Sequence, residues 1–128
     1  MKKIVVSAAF LFLGFCSPSA EAHDWYSKKI DPVYKKGCCG GSDCKELPIN
    51  IPGVLTIEPE GYRVRLTLEQ TKLINPQRTL PYDHLIPWDR VQTSEDLNYH
   101  ICIMSKDYDS YWRDPRDGTY CFFEPPGT

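Results

Sequence analysis

The chain has 128 residues, 41% hydrophobic, 25% charged and 12% aromatic, with 11 prolines, 8 glycines and 6 cysteines. That length allows one small domain, the composition excludes wholesale disorder, and a formal charge of -2 offers no basic field for a phosphate backbone, so nucleic acid is excluded as a partner. No P-loop, paired-glycine nucleotide fingerprint, G-x-S-x-G or C-x-x-C occurs, which leaves a catalytic role without a signature.

The first 22 residues read as a secretory signal peptide. Lys2 and Lys3 form a basic start, residues 4–15 are apolar, and Ala20-Glu21-Ala22 supplies the small residues of a cleavage site. The apolar run is about a dozen residues, short of the ~20 needed to span a bilayer as a helix, so no transmembrane span is expected. Cys16 invites a lipoprotein reading, but the bulky Phe15 before it argues against lipidation. Cleavage after Ala22 leaves a single secreted domain over 23–128 that starts at His23. It also removes Lys2, Lys3 and Glu21, moving the formal charge from -2 to about -3.

Five cysteines then remain: Cys38, Cys39, Cys44, Cys102 and Cys121. In an exported, most simply periplasmic, protein these are disulfide candidates. Residues 23–52 are interrupted by Asp31-Pro32, Gly40-Gly41-Ser42 and further prolines, so an irregular segment constrained by staples is expected there.

Next comes a hairpin. Residues 54–57 lead through Glu58-Pro59-Glu60-Gly61 into 62–68, whose alternation puts Tyr62, Val64, Leu66 and Leu68 on one buried face and Arg63 and Arg65 on the solvated one. Thr67-Leu68-Glu69-Gln70 matches a capping box, which predicts a short helix to Ile74 stopped by Asn75-Pro76. Residues 80–88 are extended but carry Pro81 and Pro87, which suits an edge strand or a bulge. Residues 99–104 alternate between two half-apolar faces, and 119–123 form a last strand. Five short strands with turns between them predict a mainly β domain, a small antiparallel sheet or barrel with at most one short helix.

If residues 102 and 121 face each other on successive strands, a Cys102–Cys121 bridge is expected, with Cys44 paired to Cys38 or Cys39. The fifth thiol is then left to pack as a small hydrophobe, to link a second chain as a disulfide dimer, or to serve as a soft metal ligand; monomer and linked dimer both remain open.

The sharpest chemical idea concerns position. A histidine at a cleaved N-terminus offers its α-amine and Nδ1 as a chelate, and nitrogen-rich tetragonal coordination suits copper(II). His84 and His100 are the other histidines, so His23, His84 and His100 are the metal candidates, with Asp24 as an axial or supporting group. The Cys and His spacings match no standard zinc pattern, and the aspartates of residues 105–118 lack the EF-hand order. That same stretch carries Tyr108, Tyr111 and Trp112, a candidate platform for a protein or glycan partner. No catalytic residues are assigned.

H-D-W-Y at 23–26, C-C-G-G-S-D-C at 38–44, G-Y-R-V at 61–64, Y-H-I-C at 99–102 and C-F-F-E-P-P-G at 121–127 together resemble a set of small exported proteobacterial proteins of unassigned function. The resemblance implies an envelope location and a shared disulfide staple, and it transfers no activity, ligand or catalytic residue. It includes His23 and His100 and leaves His84 outside, which favours His100 as the second ligand of any copper. Two roles follow as expectations: a small periplasmic binding protein, with copper held at His23, or an envelope interaction module or enzyme inhibitor presenting residues 105–118. An enzyme comes third.

Overall fold

A computed structural model describes residues 24–38, 43–105, 116 and 118–128. His23, Cys39 and the aromatic candidates Tyr108, Tyr111 and Trp112 lie outside the described residues, as do residues 1–22. The fold is mainly β: seven strands in two sheets and one α-helix among the described residues.

A 3-10 turn over Asp24–Lys28 is followed by an isolated bridge between Ile30 and Gly37 and then by β1, Cys44–Glu46. β2 (Leu55–Glu58) and β3 (Gly61–Leu66) form the expected hairpin. In β3 the alternation works as read, with Tyr62, Val64 and Leu66 buried. Leu68 departs from that face because the chain has already turned into α1, Leu68–Ile74.

That helix starts where its caps dictate. The Gln70 amide donates to Thr67 Oγ1 at 3.2 Å and the Thr67 amide donates to Gln70 Oε1 at 2.9 Å, closing the capping box. Asn75 ends the helix, and its Nδ2 donates to the Ile103 carbonyl at 3.0 Å, tying the helix end to the sheet behind it.

β4 (Tyr82–Pro87) is the edge strand its prolines predicted, completing a three-stranded antiparallel sheet in the order β2-β3-β4. At Gly61 a β-carbon would stand 1.9 Å from the Ile86 carbonyl oxygen, so only glycine lets the two strands close there. A 3-10 turn at Trp88–Arg90 then carries the chain directly into β5 (Val91–Thr93) of the second sheet. β6 (His100–Ile103) and β7 (Thr119–Glu124) complete that sheet, ordered β1-β6-β7-β5.

Two expectations need correction here. The sequence predicted five strands, but β1 and β5 are three residues each, too short to show a periodic signal. The sheet is also mixed rather than purely antiparallel, because β5 runs parallel to β7.

The four-stranded sheet is buried on both faces. Ile101, Ile103 and Phe122 face the three-stranded sheet and pack with Leu47, Val54, Tyr62, Val64, Leu66, Tyr82 and Ile86. Cys102, Cys121 and Phe123 face the other way, where Tyr26, Cys38 and Cys44 cover them. A register shift keeps both layers filled: Cys102 pairs with Cys121 but Ile103 pairs with Thr119, so Tyr120 is the extra residue of a bulge.

The bridges are Cys38–Cys121 and Cys44–Cys102, and this overturns the expected Cys102–Cys121 and Cys38/Cys39–Cys44 pairings. Cys102 and Cys121 do sit opposite each other in the β6–β7 register. However, β1 is the other neighbour of β6 and sets Cys44 directly opposite Cys102, which leaves Cys121 to take Cys38. The bonds span 83 and 58 residues, for which the loop-closure model gives about 4 kcal/mol each if taken separately. Disulfides of this kind persist in an oxidising compartment outside the cytoplasm. No helix among the described residues is long and apolar enough to cross a membrane.

Candidate functional site

Of the three histidines named as metal candidates, the two that are described, His84 and His100, do not converge. His100 is fully buried on the disulfide side of the four-stranded sheet, and both of its ring nitrogens are engaged. Its Nε2–H donates to Asp96 Oδ1 at 2.7 Å, and the Tyr26 hydroxyl donates to Nδ1. A carboxylate only accepts, so Nε2 carries the proton it shares with Asp96. Asp96 is itself held by the Asn98 amide at 2.8 Å, and the Trp25 ring meets the imidazole edge-on at 5.2 Å.

Burial raises the Tyr26 pKa, with Asp96 and then Glu46 adding to the shift, so the phenol keeps its proton and acts as a donor. The Asp96–His100–Tyr26 chain therefore bolts the first 3-10 turn onto β6. For His100 to bind a metal, at least one of these bonds must break.

His84 lies on β4, half-buried, with its ring 4.7 Å from that of Tyr82, a core residue of the layer between the two sheets. The four-stranded sheet therefore separates it from the core cluster around His100. Among the described residues no group of three or more His, Cys, Asp or Glu side chains is placed to hold a metal.

A second buried polar network closes the same side of the molecule. Asp31, fully buried, accepts from Arg90 Nε at 2.8 Å and from the Val33 and Tyr34 amides at 2.9 and 2.8 Å. Arg90 continues to the Arg116, Thr119 and Tyr120 carbonyls. The donors and acceptors of this buried ion pair are matched, which is the condition for tolerating such a pair inside a protein. Its role is to anchor the segment after the first turn to β7.

Asp43, beside Cys44, differs in kind. Its Oδ1 is buried with no hydrogen-bond partner, and burial pushes its pKa up to about 6.

A concave feature of the described surface lies elsewhere, at the end of the three-stranded sheet where β3 stops and β4 begins. A cleft of about 470 Å³ is walled by Ile51, Pro52, Val54, Leu66 and Pro81, with Tyr82 at its base and Thr67 and Gln70 at the start of α1. Gly53, at φ 85°, makes the turn that folds Ile51 and Pro52 over it. Two charged residues line its rim. Asp83 is shared by Arg63 Nη1 and Arg65 Nε, each at 3.5 Å, and Arg63 also holds Glu58 at 3.3 Å. Among the described residues Arg65 has only that one long side-chain contact, which leaves most of the donors of its guanidinium unused at the rim of the cleft.

No local run of the sequence marks this site. Arg63 and Arg65 lie on the outer side of β3 as the alternation predicts, but the residues of the cleft come from the loop before β2, the end of β3, the start of α1 and the approach to β4. No local pattern links them. Tyr26, Asp96, Asp31 and Arg90 were missed for the same reason; the nearest signal was that buried polar side chains need partners.

No family model, curated protein or solved structure matches this chain.

Proposed function

We propose that this protein is a small periplasmic binding protein whose ligand site is the cleft at the β3–β4 end of the three-stranded sheet. The carrying observation is an apolar concavity of about 470 Å³ with an under-used guanidinium, that of Arg65, at its rim. That volume lies in the range of small-molecule sites, which pair apolar walls with a few orienting polar groups. The ligand class that fits is an apolar body ending in a carboxylate: the walls take the body, and the planar fork of Arg65 takes the head. The two disulfides and the leader-like start support action outside the cytoplasm, and the resemblance to small exported proteins supports the envelope.

The test is titration of the exported protein with a medium-chain fatty acid, followed by displacement of anilinonaphthalene sulfonate. Arg65→Gln should weaken binding about tenfold, the loss expected for one charge-assisted contact. Ile51→Trp, which fills the mouth from an exposed position, should abolish it. Unchanged affinity in both variants rejects the cleft.

Copper at His23 is the competing proposal. Intact mass with one equivalent of copper(II) separates the two: a chain that starts at His23 and retains copper, lost on His23→Ala and indifferent to Arg65→Gln, would replace the cleft reading. Presentation of residues 105–118 to an envelope partner is the third; Trp112→Ala would weaken it, and His23→Ala and Arg65→Gln would not.

A further inference from the structure

At the opposite end of the same sheet, where the β2–β3 turn meets the end of β4, a tryptophan stands out in solvent. Trp88 is 45% exposed, yet it is held in place. Its indole Nε1–H donates to the Pro59 carbonyl at 2.8 Å, its backbone amide donates to the Glu60 carbonyl at 3.2 Å, and its ring meets that of Tyr62 edge-on at 5.0 Å. Tyr62 in turn is buried, and its hydroxyl donates to Glu124 at 2.6 Å. An aromatic ring this constrained has already lost its rotamer freedom, so a partner that stacks on it incurs little further ordering cost.

The surroundings are apolar at close range and acidic around it. Ile57, the cross-strand neighbour of Tyr62, is 73% exposed, and Pro59 and Pro87 are exposed beside the ring. Glu60 and Asp89 are exposed and adjoin Trp88 through the turn hydrogen bond and the chain itself. Neither makes an ion pair among the described residues. This contrasts with Glu58 and Asp83 on the outer face, which are engaged by Arg63 and Arg65. The nearest arginine in sequence, Arg90, is buried against Asp31, so among the described residues no cation is paired with Glu60 or Asp89.

We infer that the Trp88 patch is a docking surface for a cationic segment of a partner protein, with an arginine or lysine side chain lying on the indole face between Glu60 and Asp89. Charge complementarity selects this occupant. A ring face carries negative potential and attracts cations, and two unpaired carboxylates beside it add to the same field. Burying the apolar rim of Ile57 and Pro59 supplies contact area. The surface is separate from the cleft, so either can stand without the other.

The test is fluorescence anisotropy of a labelled oligo-arginine peptide with the exported protein. Trp88→Ala should weaken binding about tenfold, as should the pair Glu60→Gln with Asp89→Asn. The carboxylate pair is exposed and its side chains carry no bond among the described residues, so it reads the surface even if Trp88→Ala loosens the turn. Added salt should weaken the wild type. Removing two other exposed carboxylates, Glu46→Gln with Glu69→Gln, should leave affinity unchanged. Equal loss in that control pair would mean diffuse attraction by net charge and would overturn the proposal. So would absence of peptide binding, insensitivity to both patch variants, or equally tight binding of a neutral oligosaccharide, which would make the ring a sugar platform.

Discussion

The two faces of the four-stranded sheet are closed by different physics. On one face Ile101, Ile103 and Phe122 meet a second sheet whose own alternation supplies Tyr62, Val64 and Ile86, and the layer is an ordinary apolar core. On the other face the cover is residues 24–38, which have no alternating apolar pattern to bury. Two disulfides, the Asp31–Arg90 pair and the Asp96–His100–Tyr26 chain hold that side instead. Covalent and polar bonds act where the hydrophobic effect has little surface to work on, and their cost of desolvation is met because nearly every buried donor and acceptor there is matched.

Breaking the stapled face should cost most. Replacing Cys38 and Cys121 together by alanine should lower unfolding stability by about 4 kcal/mol, a large part of the 5–15 kcal/mol typical of a domain. Urea denaturation would read it. Hydrogen exchange should then rise first in residues 24–38 and leave the β2-β3-β4 sheet protected.

Asp31→Ala strands the Arg90 guanidinium and removes the acceptor of two turn amides, so a loss of about 3–5 kcal/mol is expected. An Ile103→Ala cavity on the apolar face should cost about 3 kcal/mol and spread evenly over both sheets. If Asp31→Ala proved milder than Ile103→Ala, the polar network would be an accessory and the contrast between the faces would fail. Thr67→Ala removes one side of the capping box and should cost about 1 kcal/mol, visible as a small drop in thermal midpoint.

A pH-dependent effect concerns Asp43. Its native pKa of about 6 lies above the ordinary carboxyl value of 3.8, so the native state binds this proton more tightly than the unfolded chain does. Its contribution is complete below about pH 4, is lost as pH rises from about 4 to 6, and is gone above that. Asp43→Asn should raise the urea midpoint at neutral pH and flatten that part of the pH profile.

Much of the apolar half was legible in the chain. The β2–β3 hairpin, the α1 helix with its capping box, the edge strand between Pro81 and Pro87, and the two-faced β6 all follow from short-range patterns, because period and turn chemistry are local. The stapled half was legible only as composition. Its cysteines marked it as cross-linked, but the partners depended on which strands lay side by side. The insertion of β1 next to β6, a three-residue strand with no signal of its own, moved Cys44 opposite Cys102 and redirected both bonds.

The candidate sites divide in the same way. His84 and His100 were named from the sequence as residue types suited to a metal, and the structure places them on opposite sides of a sheet, with both His100 nitrogens committed to protein partners. The cleft and the Trp88 patch went unnamed because each draws on segments that only the strand order β2-β3-β4 brings together.

By itself, then, the sequence determined a small β-rich domain with oxidised cysteines and one short capped helix, since each rests on local propensity or on composition. Tertiary structure alone decided the disulfide partners, the burial of His100, the under-used guanidinium of Arg65 and the fixed ring of Trp88. Those depend on contacts between residues far apart in the chain, and no local pattern records which distant segment will lie alongside.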